Sequence, residues 1–597
     1  MDEVAQIRER VDIVSFISEY VPLKKMGRNF KANCPFHNEK TPSFVVSPER
    51  QIWHCFGGCG KGGDVYTFLM EYENLEFVEA LRILAKRTGV PLRESNFQTG
   101  ISSKKEIIYK LNKAALDFYH YVLTKHQAGK KALAYLTDKR KMDPKIIETF
   151  MIGFSPKDGV DLSNYLINKK KYKKEDLIEA GLAFYRGPST SSGQAGVLDF
   201  FRNRVMFPLF DHRDNVVGFS GRAIDEPYSG GKYINTRETL VYHKGNMFFG
   251  LNTAKDEIKK LDKAIIVEGE LDVISCFSQG ITNVVAVKGT ALTENQVALI
   301  ARFTNNICLC FDMDDAGYEA AKRSLPVLEK KGINITTCVF ENAKDADEAI
   351  KADPIAFKKA IKKDIPIYDY IFSKTFSEFE KDRVYGKRKI SEELLPIFTR
   401  ISNEIVKEHY LKKLSLDLDV SLEALAREVE KIEKKEVVKD NVVVGKKDKR
   451  SRIEVLEDYL MSLIVQHENP KLILEKSLAI LKDYEFEGVS YRKIAESLSK
   501  FQSNGKFSSQ EFLKILPKEL AASFDTSYLF PLPKFEDNDK YINEGEKVAT
   551  ELRALFLKNK IKEISFNLRI GEKDDDLKKI EDLEKELALT IGLLSKS

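Results

Sequence analysis

The sequence predicts a multidomain chain of the α+β and α/β classes: an N-terminal Cys/His ribbon, a mixed α/β core with a parallel sheet, and an all-α C-terminal domain. Three observations predict it. Three cysteines and a histidine fall in pairs between residues 34 and 59. Strand-like and helix-like runs alternate four times between residues 261 and 350. Leu, Glu and Lys recur at helical spacing through 452–597. A chain of 597 residues exceeds what one hydrophobic core organises, so several domains are expected.

The parts follow in order. Residues 1–95 form a first unit that opens with an amphipathic helix, "MDEVAQIRERVDIVSFISEY", and ends on the helix "LEFVEALRILAKRTGV", with Gly89 and Pro91 as stop signals. "ESNFQTGISSKK" reads as a polar linker. Residues 106–260 are mixed and contain an exposed Ser/Gly-rich loop, "RGPSTSSGQAG". Residues 261–350 carry the alternating elements, and 351–432 read as helical. The charged stretch 433–451 reads as a second linker, and 452–597 as the helical C-terminal domain.

Composition bounds the function. Hydrophobic residues make up 43% of the chain and charged ones 31%, with a net charge of only +5, so an anionic partner must be met by local basic patches. Seven cysteines without framework spacing argue against a secreted disulfide scaffold, and Cys276, Cys308, Cys310 and Cys338, in apolar runs, read as buried thiols. No signal-peptide core and no apolar run of membrane-spanning length is visible. The expectation is a soluble, cytoplasmic protein.

The segment "CPFHNEKTPSFVVSPERQIWHCFGGCGKGG" pairs Cys34 with His37 and Cys55 with Cys59. Two ligands on each of two tight turns suit tetrahedral zinc, and four protein ligands make that zinc structural. "SFVV" and "QIWHC" read as the intervening strands. His54 competes for the fourth place; His37 is preferred because its spacing from Cys34 mirrors a metal knuckle. Lys31, Lys40, Arg50, Trp53, Phe56 and Lys61 suggest a face for single-stranded nucleic acid, charges on phosphates and rings on bases.

In the alternating region, "AIIVEGELD" ends a strand on Glu268-Gly269, "ICLCFDMDDAG" ends another on Asp312 and Asp314 before Gly317, and a further strand precedes Asp345 and Asp347. A mostly parallel sheet gathers such groups at the carboxyl ends of its strands. Acids converging there repel unless they hold divalent cations, and Mg²⁺ takes carboxylate and phosphate oxygens.

The Glu-Gly plus Asp-x-Asp-x-x-Gly pattern resembles the Toprim fold of topoisomerases and primases. With the N-terminal ribbon, the chain is similar to bacterial DnaG-type primases, and "FFRNRVMFPLFD", "VVGFSGRAI", "KYINTRET" and "VYHKGNMFFGL" are similar to that family's segments before Toprim. The resemblance covers residue 1 to about 350 in family order and is looser beyond. It implies an RNA polymerase core in which 106–260 is the basic subdomain and 261–350 the Toprim part. It implies Glu268, Asp312 and Asp314 as catalytic groups and Asp272, Asp345 and Asp347 as further ligands of Mg²⁺ (or Mn²⁺), two ions or more, beside one zinc. Arg140, Arg204, Arg222, Lys232 and Lys244 would guide template and nucleotide, with Trp53 and Lys61 on the ribbon.

The implied partners are single-stranded DNA, ribonucleoside triphosphates, the replicative helicase through 452–597 and a single-strand-binding protein, at the replication fork in the nucleoid and away from membranes. Three departures stand out: Gly58 widens the second cysteine pair to Cys-x-x-x-Cys, Met313 replaces a frequent Gly, and Glu270 replaces a common aromatic and adds a carboxylate able to tune metal affinity. The alternatives are a Toprim topoisomerase or nuclease and a non-catalytic DNA or helicase adaptor. The absence of a G-x-x-x-x-G-K-[ST] phosphate loop argues against a fused helicase.

Overall fold

The computed structural model describes residues 3–595 apart from 38, 40, 74, 93–99, 186–195, 226–230, 289–290, 341–342, 441–450, 483, 503–506 and 572–576. Lys40, nearly all of the Ser/Gly-rich loop, the core of the first linker and most of the second lie outside the described residues. The chain forms two compact units, one of Met1–Arg93 with Gly445–Ser597 and one of Glu94–Val444. Among the described residues no helix is long and apolar enough to cross a membrane.

In the first unit the N-terminal amphipathic run forms two helices, Glu3–Arg10 and Ile13–Ser18. The break falls at Asp12, whose carboxylate accepts the Ser15 N–H at 2.8 Å and so starts a new helix. Helix Phe77–Thr88 stops at Gly89, which takes φ 67°. Between them lies an antiparallel meander of β1 (Lys24–Met26), β2 (Asn29–Ala32), β3 (Phe44–Ser47), β4 (Ile52–Cys55) and β5 (Gly62–Gly63). Register sets Phe44 opposite Cys55 and Val45 opposite His54. Phe36, Phe44, Trp53 and Phe68 pack ring on ring under the sheet.

Among the described residues the regular elements of the C-terminal part of this unit are all helices, from Arg452–Gln466 to Leu577–Leu594. Leu460, Met461, Ile464, Leu474, Phe512, Phe524 and Leu552 meet in its core.

In the second unit, β6 (Gly153–Ser155), β9 (Arg204–Phe210), β10 (Val216–Ala223) and β11 (Tyr233–Asn235) form an antiparallel sheet of order β11-β10-β9-β6. β7 (Ala183–Tyr185) and β8 (Val197–Asp199) make a separate antiparallel pair. A second sheet joins β12 (Ala264–Val267), β13 (Val284–Ala286), β14 (Asn306–Leu309), β15 (Asn334–Thr337) and β16 (Ile365–Pro366) in the order β13-β12-β14-β15-β16. The first four pair in parallel and β16 antiparallel. The central strands β12 and β14 bury apolar side chains on both faces because helices cover both, as in Glu270–Ser278 and Asp315–Lys330. Strand order reverses between β12 and β14, and a crevice opens at such a point beyond the carboxyl ends. Helices Ile367–Glu378, Val384–Phe398, Glu404–Leu418 and Leu422–Asp440 follow, the last running through the first residues of the expected 433–451 linker.

Candidate functional site: a Cys/His ribbon and a carboxylate crevice

The metal-ligating atoms of Cys34, His37, Cys55 and Cys59 all lie within 4.8 Å of one another. Two cysteines sit in knuckles: the Phe36 N–H points at Cys34 Sγ (3.4 Å) and the Gly57 N–H at Cys55 Sγ (3.3 Å). A Cβ at Gly57 would lie 2.5 Å from Ser43 Oγ and 2.6 Å from His37 Nε2, so the widened Cys-x-x-x-Cys turn needs glycine there. Glu39 Oε1 accepts the N–H groups of Cys34 and Ser43, tying the first knuckle to β3. Burial pushes the Cys34 thiol up. Three sulfurs and one imidazole fit zinc. His37 joins the thiols; the His54 ring lies against Phe56, at 4.6 Å between centroids.

Two residues expected to touch nucleic acid are placed otherwise. Trp53 is 1% exposed in the ribbon core, and its indole N–H donates to the Asp64 carbonyl at 3.0 Å. It cannot stack on a base, because alternation on β4 turns it inward. Arg204 is 3% exposed, and its guanidinium donates to the carbonyls of Gly221 and Lys232. It fastens the antiparallel sheet instead of guiding a template. Lys61 remains near the surface, beside Glu71 and the Phe36 ring.

At the strand-order reversal, Glu268 follows β12 and Asp312 follows β14, and the Asp312 N–H donates to Glu268 Oε1 at 3.2 Å. Both line a cavity of about 360 Å³ together with Asp272, Asp345 and Asp347 and with the basic and aromatic side chains of Arg140, Arg222, Lys232 and Tyr233. The chain reaches this geometry through Gly317: a Cβ there would meet the Asp312 carbonyl oxygen at 2.1 Å. Burial first, then the Glu268 and Asp345 charges, push the Asp312 carboxyl up to about 7. Burial, then Asp345, push Asp272 up to about 7. Burial also raises Glu268. Like charges crowded in a half-dry crevice favour protons or cations, which is the chemistry of a divalent-metal site.

The remaining acids are already engaged. Asp272 accepts the N–H groups of Gly269 and Asp347, both at 3.1 Å. Asp347 accepts from Ser275 Oγ at 2.6 Å and pairs with Arg140 at 3.2 Å and with Lys351. Asp314 lies outside the cavity lining; it caps helix Asp315–Lys330 through the Gly317 N–H and pairs with Lys344 at 3.2 Å. That helix-end bond holds its carboxyl below the usual range. Asp345 caps helix Ala346–Ala352 through the Glu348 N–H. Lys244 is likewise absent from the lining and sits on the turn after Glu238, whose Oε1 accepts its N–H.

Glu270 lines the same cavity but is not an additional free charge. It is buried and paired with Lys288 at 2.7 Å. Lys288 was not foreseen. Its ammonium also donates to Asn235 Oδ1 at 2.7 Å, joining the two sheets at the cavity, and its backbone takes φ 65°. It stands just beyond β13, the same strand-end position that singled out the acids, so the signal was available. Tyr135, whose ring lies under Arg140 and Arg222 at 5.7 and 5.2 Å, carried no such signal.

Carboxylates at the reversal of a parallel sheet, in one cavity with arginine and lysine side chains, are the arrangement of a metal-dependent enzyme of phosphoryl chemistry, and a Cys/His ribbon precedes it in the chain. Family models match in the same order: a CHC2 zinc finger at residues 1–99, the N-terminal domain of the DNA primase catalytic core at 118–255, a Toprim-like domain at 265–350 and the DnaB-helicase binding domain of primase at 368–423. The DNA primase of Halalkalibacterium halodurans is 32% identical over 596 residues, 98% of this chain and 94% of that one. The DNA primase of Staphylococcus aureus is 36% identical over 424 residues, 70% of this chain and 65% of that one. The zinc-binding and RNA polymerase domains of Aquifex aeolicus primase superpose with a TM-score of 0.47 at 34% identity, over 71% of this chain and 99% of that one.

The chain belongs to the bacterial DNA primase family. Its activity is nucleotidyl transfer, the DNA-templated synthesis of short RNA primers.

Proposed function

We propose that primer synthesis takes place in the crevice beyond β12 and β14, with Glu268, Asp312 and Asp345 holding Mg²⁺ (or Mn²⁺), two ions or more, and Asp314 adding charge beside them. The Asp312 N–H on Glu268 Oε1 carries this reading, since it brings two acids 44 residues apart to one point of the sheet. Bound Mg²⁺ supplies charge neutralisation of the triphosphate. Asp272 and Asp347 position the loops through the amide, Ser275 and Arg140 bonds above. Arg140 and Lys232 hold phosphates of template and nucleotide, a sequence-independent grip that suits copying any strand, while Arg222, itself only 6% exposed, backs the same cavity. Tyr135 orients both arginines from beneath: its hydroxyl accepts from Arg140 Nε at 2.7 Å and from Arg222. The primer 3′-hydroxyl forms a bond to the α-phosphorus of the incoming ribonucleotide, and pyrophosphate leaves.

Incubation with single-stranded DNA, ribonucleotides and Mg²⁺ is expected to yield new RNA with the template intact. Nicked template without RNA would favour strand breakage and reject the reading.

The raised acids set a pH dependence. Asp272 and Asp312 titrate near 7 in the folded chain but in the ordinary range when unfolded, so the fold binds extra protons between the two. Stability therefore falls as pH rises from about 4 to about 7. Mg²⁺ that replaces the Asp312 proton is expected to raise the melting temperature by a few degrees at about pH 8 and by much less at about pH 6. Equal shifts at both would show that the cation binds elsewhere.

The ribbon, zinc-loaded, selects initiation sites on single-stranded DNA and, tethered to the polymerase, acts at high local concentration. The replicative helicase is the further partner, with a single-strand-binding protein at the same fork. The helicase-binding family model falls on 368–423, within the helical segment 351–432, while the earlier expectation placed docking on 452–597.

A further inference from the structure

We propose that the C-terminal helical domain carries a docking surface for the zinc ribbon of the same chain, and that docking withholds the Arg28–Arg50–Phe56 face of the ribbon from single-stranded DNA. This goes beyond the polymerase reading; it rests on the proposed binding of single-stranded DNA by the ribbon and not on the assignment of the carboxylate crevice. The two parts are far apart in sequence, yet they form one compact unit.

The contact alternates in charge, which fixes its register. Arg50 pairs with Asp525 at 2.6 Å, with the two side chains only 10% and 23% exposed. The neighbouring Glu49 accepts from the Tyr528 hydroxyl at 2.9 Å. Arg28 lies over the Tyr528 ring, 4.4 Å from its centroid, and donates to Gln466 Oε1 at 2.8 Å. Asp525 and Tyr528 share the helix Ala521–Leu529, so a single turn of that helix meets cation, anion and cation in sequence. Breaking one partner of so enclosed a pair leaves an uncompensated charge, which makes the fit specific.

Phe56 extends the contact to the metal. It lies between Cys55 and Gly57 on the widened knuckle, and its ring meets Phe530 edge-on at 5.5 Å. Arg50 and Phe56 are among the residues that the sequence offers to phosphates and bases, and Lys31 of the same group lines the 230 Å³ cleft beside Arg28 and Phe530. One side chain cannot pair with Asp525 and with a phosphate at once. Docking and template binding at these residues are therefore mutually exclusive, and by linkage each weakens the other.

Hydrogen exchange on the full-length, zinc-loaded chain tests this. An oligothymidylate is expected to raise exchange in Ala521–Leu529, a helix it does not itself touch, by at least about tenfold as the ribbon leaves. Asp525→Arg alone is expected to raise exchange both there and in the β3–β4 turn, and Arg50→Asp with Asp525→Arg to restore protection at both. Protection of the helix that is unchanged or increased by the oligonucleotide, or a charge swap that fails to restore what each single change loosens, would overturn the proposal. Primer synthesis is not part of the readout, so failure here leaves the active-site reading untouched.

Discussion

Asp312→Asn is expected to lower primer synthesis by at least about 100-fold while the purified chain melts a few degrees higher. Both effects have one source. The carboxyl is pushed up to about 7 by burial first and by Glu268 and Asp345 next, so its charged form is held against the preference of the fold. An amide of the same shape removes that repulsion, worth on the order of 1 kcal/mol after discounting for solvent screening. It also removes a charged oxygen from the place where a cation must be held. The backbone bond from Asp312 N–H to Glu268 is untouched by the change, so the crevice keeps its shape. Initial rates on a single-stranded template, read beside thermal melts with and without Mg²⁺, check the two halves. A variant that melts higher but still makes primers at the parent rate would remove Asp312 from the machinery.

Removing zinc is expected to unfold the ribbon and leave the polymerase core folded. The ribbon sheet is a meander of strands of two to four residues, with a small aromatic core, and structural zinc contributes about 10–16 kcal/mol to folding in such modules. The chain has a single tryptophan, Trp53, buried in that core. Its emission therefore reports the ribbon alone. Treatment with a strong chelator, or Cys34→Ser, is expected to shift that emission to the red. Extension of a pre-annealed primer should be spared and initiation on bare template lost. Because the Cys34 thiol is raised by burial and must lose its proton to bind, metal retention is expected to weaken as pH falls. An unshifted Trp53 spectrum in the metal-free chain would show that the aromatic core suffices without the metal.

Much of this site was legible because its signals are local. Two ligands on one turn must approach one another whatever the rest of the chain does, so Cys34/His37 and Cys55/Cys59 could be read from spacing. Acids that end apolar strands collect at one sheet edge because parallel strands share a direction, which is how Glu268 and Asp312 could be paired across 44 residues. Lys288 occupies an equivalent strand end but is basic, so the acid pattern does not include it, although its bond to Asn235, beside its pairing with Glu270, joins the two sheets at the cavity.

Exposure was another matter. Trp53 and Arg204 have the chemistry of nucleic-acid contacts, and both are buried, one filling the ribbon core and one bonding strand carbonyls. Asp314 belongs to the motif but caps a helix outside the cavity, while Asp272 and Asp347 bond backbone and side-chain donors. A residue's type fixes what it can bond; its neighbours decide which of those bonds form.

Spacing and strand alternation, both properties of consecutive residues, were enough to establish the ribbon, the parallel sheet and the identity of the acids. Tertiary structure alone decided which acids line the crevice, which cations line it with them, and that residues 1–93 and 445–597 pack as one unit. Those outcomes depend on burial and on partners hundreds of positions away, such as Arg50 and Asp525, and no local pattern encodes them.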